Sequence, residues 1–229
     1  MVRILTLLFI IVATQSVAHA WVSPLDTLER RGHWGVVVGF DNYYISDVSV
    51  KGEEGWEDAF GNSDYLWGLS GGVFYNYVLG KKRLWFFEPG LKLYHYSHRA
   101  NPGVTNGQFH GKINRTGLYV PLYIGSRGRF NAKGLFFKWH AGPVFDIGLV
   151  AKRHPYSDSK GEYSSSAYGK DGVLSRFDLM LNLGFGLEFR GIYLGYDVYL
   201  GRLNQYHGNS PLDLQFKKFL ISGRLSYQF

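Results

Sequence analysis

Residues 177–189 read FDLMLNLGFGLEF. Every odd position, from Phe177 through Leu179, Leu181, Leu183, Phe185 and Leu187 to Phe189, is large and apolar. The even positions are Asp178, Met180, Asn182, Gly184, Gly186 and Glu188, small or polar apart from Met180. Successive side chains leave a strand on opposite faces, so a period of two is a strand with one greasy face. Arg190-Gly191 reverses the chain, and the alternation resumes with Ile192, Leu194, Tyr196, Val198 and Leu200 against Tyr193, Gly195, Asp197, Tyr199 and Gly201. Strands of globular proteins usually run about five or six residues. These two reach about ten or more, the length that crosses a bilayer at a tilt. The greasy face is then expected to meet lipid and the polar face to look into a barrel lumen.

Composition supports that reading. Aromatic residues make up 17% of the 229 positions and glycine contributes 30, both above ordinary usage. Interfacial girdles and close-packed barrel walls need both. Mean hydropathy is only −0.14, which excludes a bundle of membrane helices. The absence of cysteine excludes a disulfide framework and a thiolate metal site. Arg3, the apolar run Ile4 to Ala13 and Ala18-His19-Ala20 have the pattern of a cleaved signal peptide over 1–20. Residues 21–32 read as a periplasmic tail and 33–229 as one barrel domain.

Six further segments repeat the same period. Strands are expected over His33–Tyr44, Asp64–Val78, Leu84–His98, Thr116–Ser126, Leu135–Val150, Phe177–Phe189, Ile192–Gly201 and Gln215–Phe229. Other cuts give seven or nine. Eight is self-consistent because the connections then alternate long and short, as in outer-membrane barrels with short periplasmic turns and long outer loops. Pro121, inside the fourth strand, is expected to mark a bulge. The predicted fold is therefore all-β: an eight-stranded antiparallel up-and-down transmembrane barrel, integral to a bacterial outer membrane, with both termini in the periplasm.

Three segments carry a family resemblance: Leu118-Tyr-Val-Pro-Leu-Tyr-Ile, Ala141-Gly-Pro-Val-Phe, and Asp178 to Gly201 with its Leu-Gly-Phe-Gly-Leu-Glu-Phe. They resemble the outer-membrane β-barrel domain common in the Bacteroidota, the porin-family proteins, one branch of which serves the type IX secretion system. Tyr227-Gln228-Phe229 is similar to the C-terminal signal read by the barrel-assembly machinery, with Tyr227 and Phe229 on the lipid-facing parity.

Candidate functional residues lie on the inward parity. Asp41, Glu88, Lys92, Lys138, Asp146, Arg176, Asp178, Glu188, Asp197, Lys218 and Arg224 are expected to face the lumen. An eight-stranded barrel is just wide enough for side chains to fill. Buried charges must neutralise one another there, so an ion-pair and tyrosine network is expected, with Arg224 meeting Asp197 or Glu88. The alternative is a ligand or proton path. Phe74, Phe86, Tyr94, Tyr119, Tyr123, Tyr193 and Tyr199 supply inward bulk.

No cofactor is expected. His95, Ser97, His98, His207 and Ser210 raise a lipid A-modifying enzyme, but no triad is legible in their spacing. His95, His98 and His110 as a metal site lack a carboxylate in register. The basic residues of the short turns, including Arg127, Arg129 and Arg190, suit anionic headgroups rather than nucleic acid. Lys112, Arg115, Lys152, Arg153, Lys160 and Lys170 are placed in outer loops, where surface glycolipid phosphates lie. Trp56, Tyr156, Tyr163, Tyr168 and Tyr206 suit either a protein partner or an extended girdle. Three functions stay open: an envelope component or accessory subunit, a narrow porin, and a lipid-modifying enzyme.

Overall fold

A computed structural model describes residues 31–50, 66–80, 84–100, 111–129, 134–154, 165–169, 174–203 and 214–229. The expected signal peptide and most of the expected tail lie outside these residues. Nine strands follow in order: β1 (Gly32–Val50), β2 (Leu66–Leu79), β3 (Trp85–Ala100), β4 (Gly111–Arg129), β5 (Leu135–His154), β6 (Ser165–Ser166), β7 (Phe177–Phe189), β8 (Ile192–Gly201) and β9 (Leu214–Gln228). Every pairing is antiparallel. Eight long strands pair with their chain neighbours, β5 with β7 across the two-residue β6, and β9 pairs back onto β1. The sheet is thus a closed eight-stranded barrel with no free edge along the wall.

The alternation that marks β7 and β8 is what sorts the two surfaces. Trp34, Phe40, Leu69, Leu93, Leu181, Phe185, Leu194 and Leu225 are exposed on the outside. Asp41, Glu88, Asp146, Asp178 and Asp197 are buried inside. A soluble protein has the reverse arrangement; only lipid as solvent favours this one. Aromatic pairs band the outer surface, including Trp34 on Tyr75 at 5.1 Å, Phe40 on Trp67 at 4.7 Å and Trp85 on Trp139 at 5.8 Å.

The β7–β8 connection is the two-residue turn Arg190-Gly191, with φ of 50° and 82°. Positive φ at both positions is the turn whose twist matches a right-handed hairpin. Glycine takes such φ freely and Arg190 must adopt the left-handed region.

Several expected boundaries move. β4 begins at Gly111 and runs to Arg129, beyond the expected Thr116–Ser126, and β5 continues to His154. The cause is solvent: above the apolar belt the outward side chains become polar, while backbone pairing continues. The expected bulge at Pro121 is absent. Val120 faces Phe145, Pro121 faces Val144 and Ile124 faces Ala141 in one unbroken register. The bulge lies one turn of the ladder away, where Thr116 faces Val150 but Gly117 faces Gly148. Leu149 is the extra residue, and it reverses the parity of β5: Gly148 and Ala151 are both buried, Leu149 and Val150 both exposed.

Candidate functional site

Inward parity on eight strands brings distant charges into one column. Among the described residues, six carboxylates are buried (Asp41, Glu88, Asp146, Asp178, Glu188, Asp197) and six cations (Lys92, Arg115, Arg127, Lys138, Lys218, Arg224). The lumen is therefore balanced. The chain's formal charge of +7 resides wholly on the remaining residues.

Toward the end where the long connections emerge, Asp146 is the hub. Tyr94 donates its hydroxyl to it at 2.6 Å, Arg115 at 3.1 Å and Lys218 at 3.0 Å. Lys218 also donates to the Tyr119 hydroxyl at 2.8 Å. Its ammonium lies within 4.7–5.5 Å of the ring centres of Tyr43, Tyr94, Tyr96 and Tyr119, a cation–aromatic cage. The rings stack on one another, Tyr43 on Tyr96 at 5.0 Å and Tyr94 on Tyr119 at 4.1 Å. Asp178 sits opposite Asp146 and accepts the Leu203 backbone N–H at 3.1 Å.

Midway, Asp41 accepts hydroxyls from Ser222 at 2.5 Å and Ser70 at 3.2 Å rather than a cation. Lys92 donates to Tyr199 at 2.7 Å, and Tyr199 to Asp197 at 3.1 Å. Asp197 also faces His140 Nε2 at 2.8 Å. A carboxylate only accepts, so Nε2 carries the proton of that bond. Gly184 lies beside this pair; a Cβ there would come within 2.3 Å of the His140 ring and 2.2 Å of the Asp197 carboxylate.

Nearer the short turns, Glu88 takes Arg224 at 2.5 Å, Lys138 at 2.9 Å and Asn76 at 3.0 Å. Arg224 lies 3.9 Å from Asp197 as well. Glu188 closes the column with Lys138 at 3.6 Å and Arg127 at 3.7 Å. Seven charged groups, from Lys92 to Arg127, thus connect through shared partners. Phe74, Phe86, Tyr123 and Tyr193 fill the space between them.

Three assignments need correction. Arg176 is exposed, not in the lumen: β7 starts one residue later, so its parity does not extend to it. Arg115 is 2% exposed and bonded to Asp146, not an outer-loop cation. Arg127 is 3% exposed beside Glu188, not on a turn surface. Both share the inward parity of Tyr119 and Tyr123, and continuing the alternation past the apolar stretch of β4 would have found them.

Tyr168 is likewise not a free loop residue. It is buried over the lumen mouth, its phenol against Gly148, where a Cβ would come within 2.0 Å. Arg115 lies 5.8 Å from its ring and Arg176 4.9 Å. Ser166 receives the Tyr168 N–H at 3.2 Å and donates to its carbonyl at 2.9 Å, a local turn that aims the ring. Burial pushes the Tyr168 phenol up, partly opposed by the Arg115 guanidinium. No spacing in the sequence announces this contact.

The candidate enzyme residues do not assemble among the described positions. His95 meets the Thr116 hydroxyl at 2.8 Å, and Ser97 donates to Asn114 at 2.6 Å. His110, His207 and Ser210 lie outside the described residues, as do Trp56, Tyr156, Tyr163 and Tyr206. No group of three or more metal-ligating side chains occurs among the described residues.

A greasy wall, a charged and tyrosine-filled interior and a ring closed by β9 on β1 describe a membrane barrel. The model of the outer membrane protein beta-barrel domain family matches residues 15–204. The chain belongs to that family. It is an integral outer-membrane β-barrel protein. No curated protein matches it. Among solved structures it is similar to the attachment invasion locus protein Ail of Yersinia pestis bound to the heparin analogue sucrose octasulfate, at 15% identity and a TM-score of 0.37, covering 87% of this chain and 100% of that one. Neisserial surface protein A gives 8% identity and 0.43, with coverages of 87% and 98%. OprG of Pseudomonas aeruginosa gives 13% and 0.43, with 87% and 97%.

Proposed function

We propose that this family member works through its ends and its outer wall, not through its lumen. It serves as an envelope structural or interaction component, or as an accessory subunit of an outer-membrane assembly. The observation that carries this is the filled, charge-balanced column from Arg115 to Arg127, in a barrel with no cross-section to spare. A porin needs that column open. The resemblance to the Bacteroidota barrels makes a type IX secretion assembly the first assembly to test. The Tyr227 and Phe229 ending, exposed at 48% and 66%, suits recognition by the barrel-assembly machinery. The wider connections are read as outer loops that meet surface glycolipid and protein partners, with both termini in the periplasm. A non-enzymatic role fits the partners of His95 and Ser97.

Crosslinking in intact cells, followed by pull-down of the tagged full chain from native outer membranes, tests the proposal. A reproducible protein partner is expected. Recovery of the barrel alone, combined with altered lipid A on deletion, would favour an enzyme instead.

A further inference from the structure

The described side chains on the outside of the wall differ in charge from those in the lumen. Every carboxylate with a described side chain is inside the barrel. Among the described side chains, the charged ones outside are Arg31, Arg129, Lys152, Arg176, Arg190 and Arg202, all cations. They divide by position. Arg31, Arg129 and Arg190 belong to three separated places around the short-turn end, before β1, at the end of β4 and between β7 and β8. Lys152 lies on β5, Arg176 immediately before β7 and Arg202 immediately after β8, at the opposite end of three consecutive barrel strands.

Backbone bonds bring the second set into one sector. The Arg176 carbonyl accepts from Gly148 of β5 at 2.6 Å, and the Arg202 N–H donates to Leu179 of β7 at 2.9 Å. Arg176 is also held in place. Its guanidinium donates to the carbonyl of Leu149, the extra residue of the bulge, at 3.4 Å, and lies 4.9 Å from the Tyr168 ring. A bulge leaves its extra residue out of the ladder, so the Leu149 carbonyl is free for this use. The guanidinium stays exposed with donors to spare. Just toward the membrane centre lie Ile147, Phe177 and Leu200, all exposed. Three cations at the edge of an apolar wall, with no described carboxylate to neutralise them, match an amphiphile that carries phosphate above acyl chains.

We propose that the sector of Lys152, Arg176 and Arg202 is a binding site for the phosphate of a membrane glycolipid, whose acyl chains lie on the apolar wall of β5, β7 and β8. The choice of glycolipid rests on the reading that this end faces the cell exterior. Arg176 is the fixed donor, and Lys152 and Arg202 flank it.

The test uses the full chain in nanodiscs of neutral lipid, with bound lipid read by native mass spectrometry. The probes are bis-phosphorylated lipid A, its dephosphorylated form, phosphatidylglycerol and inorganic phosphate. Bis-phosphorylated lipid A is expected to be retained, and more weakly at high salt. Lys152→Gln/Arg176→Gln/Arg202→Gln is expected to lower retention by roughly tenfold or more. Arg176→Lys should keep most of it, and Arg31→Gln/Arg190→Gln at the other end should keep it all. Heat-modifiable gel migration certifies that each variant is folded. Equal retention of the dephosphorylated lipid, equal retention by the folded triple variant, displacement by inorganic phosphate, or a preference for phosphatidylglycerol would each overturn the proposal. A Lys152→Cys variant that an impermeant reagent labels only after the outer membrane is breached would overturn the orientation as well. Labelling in intact cells together with lost phosphate selectivity would sink the lipid site alone.

Discussion

Glu88 shows how much a single lumen residue holds. It accepts from Arg224, Lys138 and Asn76 at once, while buried to 1%. Replacing two buried charges together is often tolerated, whereas removing one leaves the other uncompensated at a cost of about 3–5 kcal/mol. Glu88→Gln is therefore expected to destabilise the barrel by about that amount in a urea titration of folding into vesicles. Glu88→Gln/Arg224→Gln should lose less than the sum of the two single variants, because the pair shares its penalty. Strict additivity would show that the contact carries no coupling. The inward position of Glu88 and Arg224 is legible in the sequence, since period two alone fixes it. Arg224 meets both acids expected of it, but that Glu88 is the nearer is not legible: Arg224 faces Gly195 and Gly39 on its neighbours, and its reach to Glu88 across the lumen depends on side-chain length. Arg115 and Arg127 were hidden for another reason. They lie where the lipid-facing half of the alternation fades, so the segments were cut short before reaching them.

At the scale of the strand, β7 states its own orientation. Leu183 is on the outward side and Asn182 is 4% exposed inside, donating to the Val198 carbonyl at 3.3 Å. Leu183→Arg is expected to cost about 2–4 kcal/mol if it lies at the bilayer midplane, a lipid penalty that Asn182→Arg escapes. Equal losses in the same titration would contradict the two faces. The β5 bulge makes a second prediction. Gly148 must stay small for Tyr168 to seat, because a Cβ would meet the phenol within 2.0 Å. Gly148→Val should unseat the strap, raising proteolytic nicking around residues 165–169 to the level of Tyr168→Ala. Unchanged protection would mean that Ala167 to Ala151 and Leu174 to Ala167, at 2.8 and 2.9 Å, hold the strap without the ring. The strands and their closure were readable from period and loop length. The bulge was not: a proline suggested it at Pro121, yet the extra residue is Leu149, which no residue type signals. Orientation is tested by single cysteines. Residues 55, 106, 160 and 209 should label in intact cells, and residues 82, 133 and 190 should not.

The whole molecule is a closed wall around a neutral column, and its last prediction concerns water. Tyr94 and Tyr119 toward the long-connection end and Tyr199 midway fill successive cross-sections, each 1% exposed, with Tyr119 and Tyr199 stacked at 6.0 Å. Their hydroxyls also satisfy Asp146, Lys218 and Lys92, so bulk and charge neutralisation are one feature. In an eight-stranded barrel those side chains exhaust the interior. The native protein is therefore expected to give no stable conductance in planar bilayers. Removing the three rings together should admit water while the ring of strands, held by backbone bonds, stays closed. Tyr94→Ala/Tyr119→Ala/Tyr199→Ala, confirmed as folded by heat-modifiable migration, is expected to conduct small ions where the native chain does not. Because six buried cations face six carboxylates, the opened lumen should show little preference for ion sign. A reproducible open channel in the native protein would overturn the filled-lumen reading and make it a porin. A silent triple variant would instead show that the ion pairs below, from Glu88 to Arg127, close the barrel without the tyrosines.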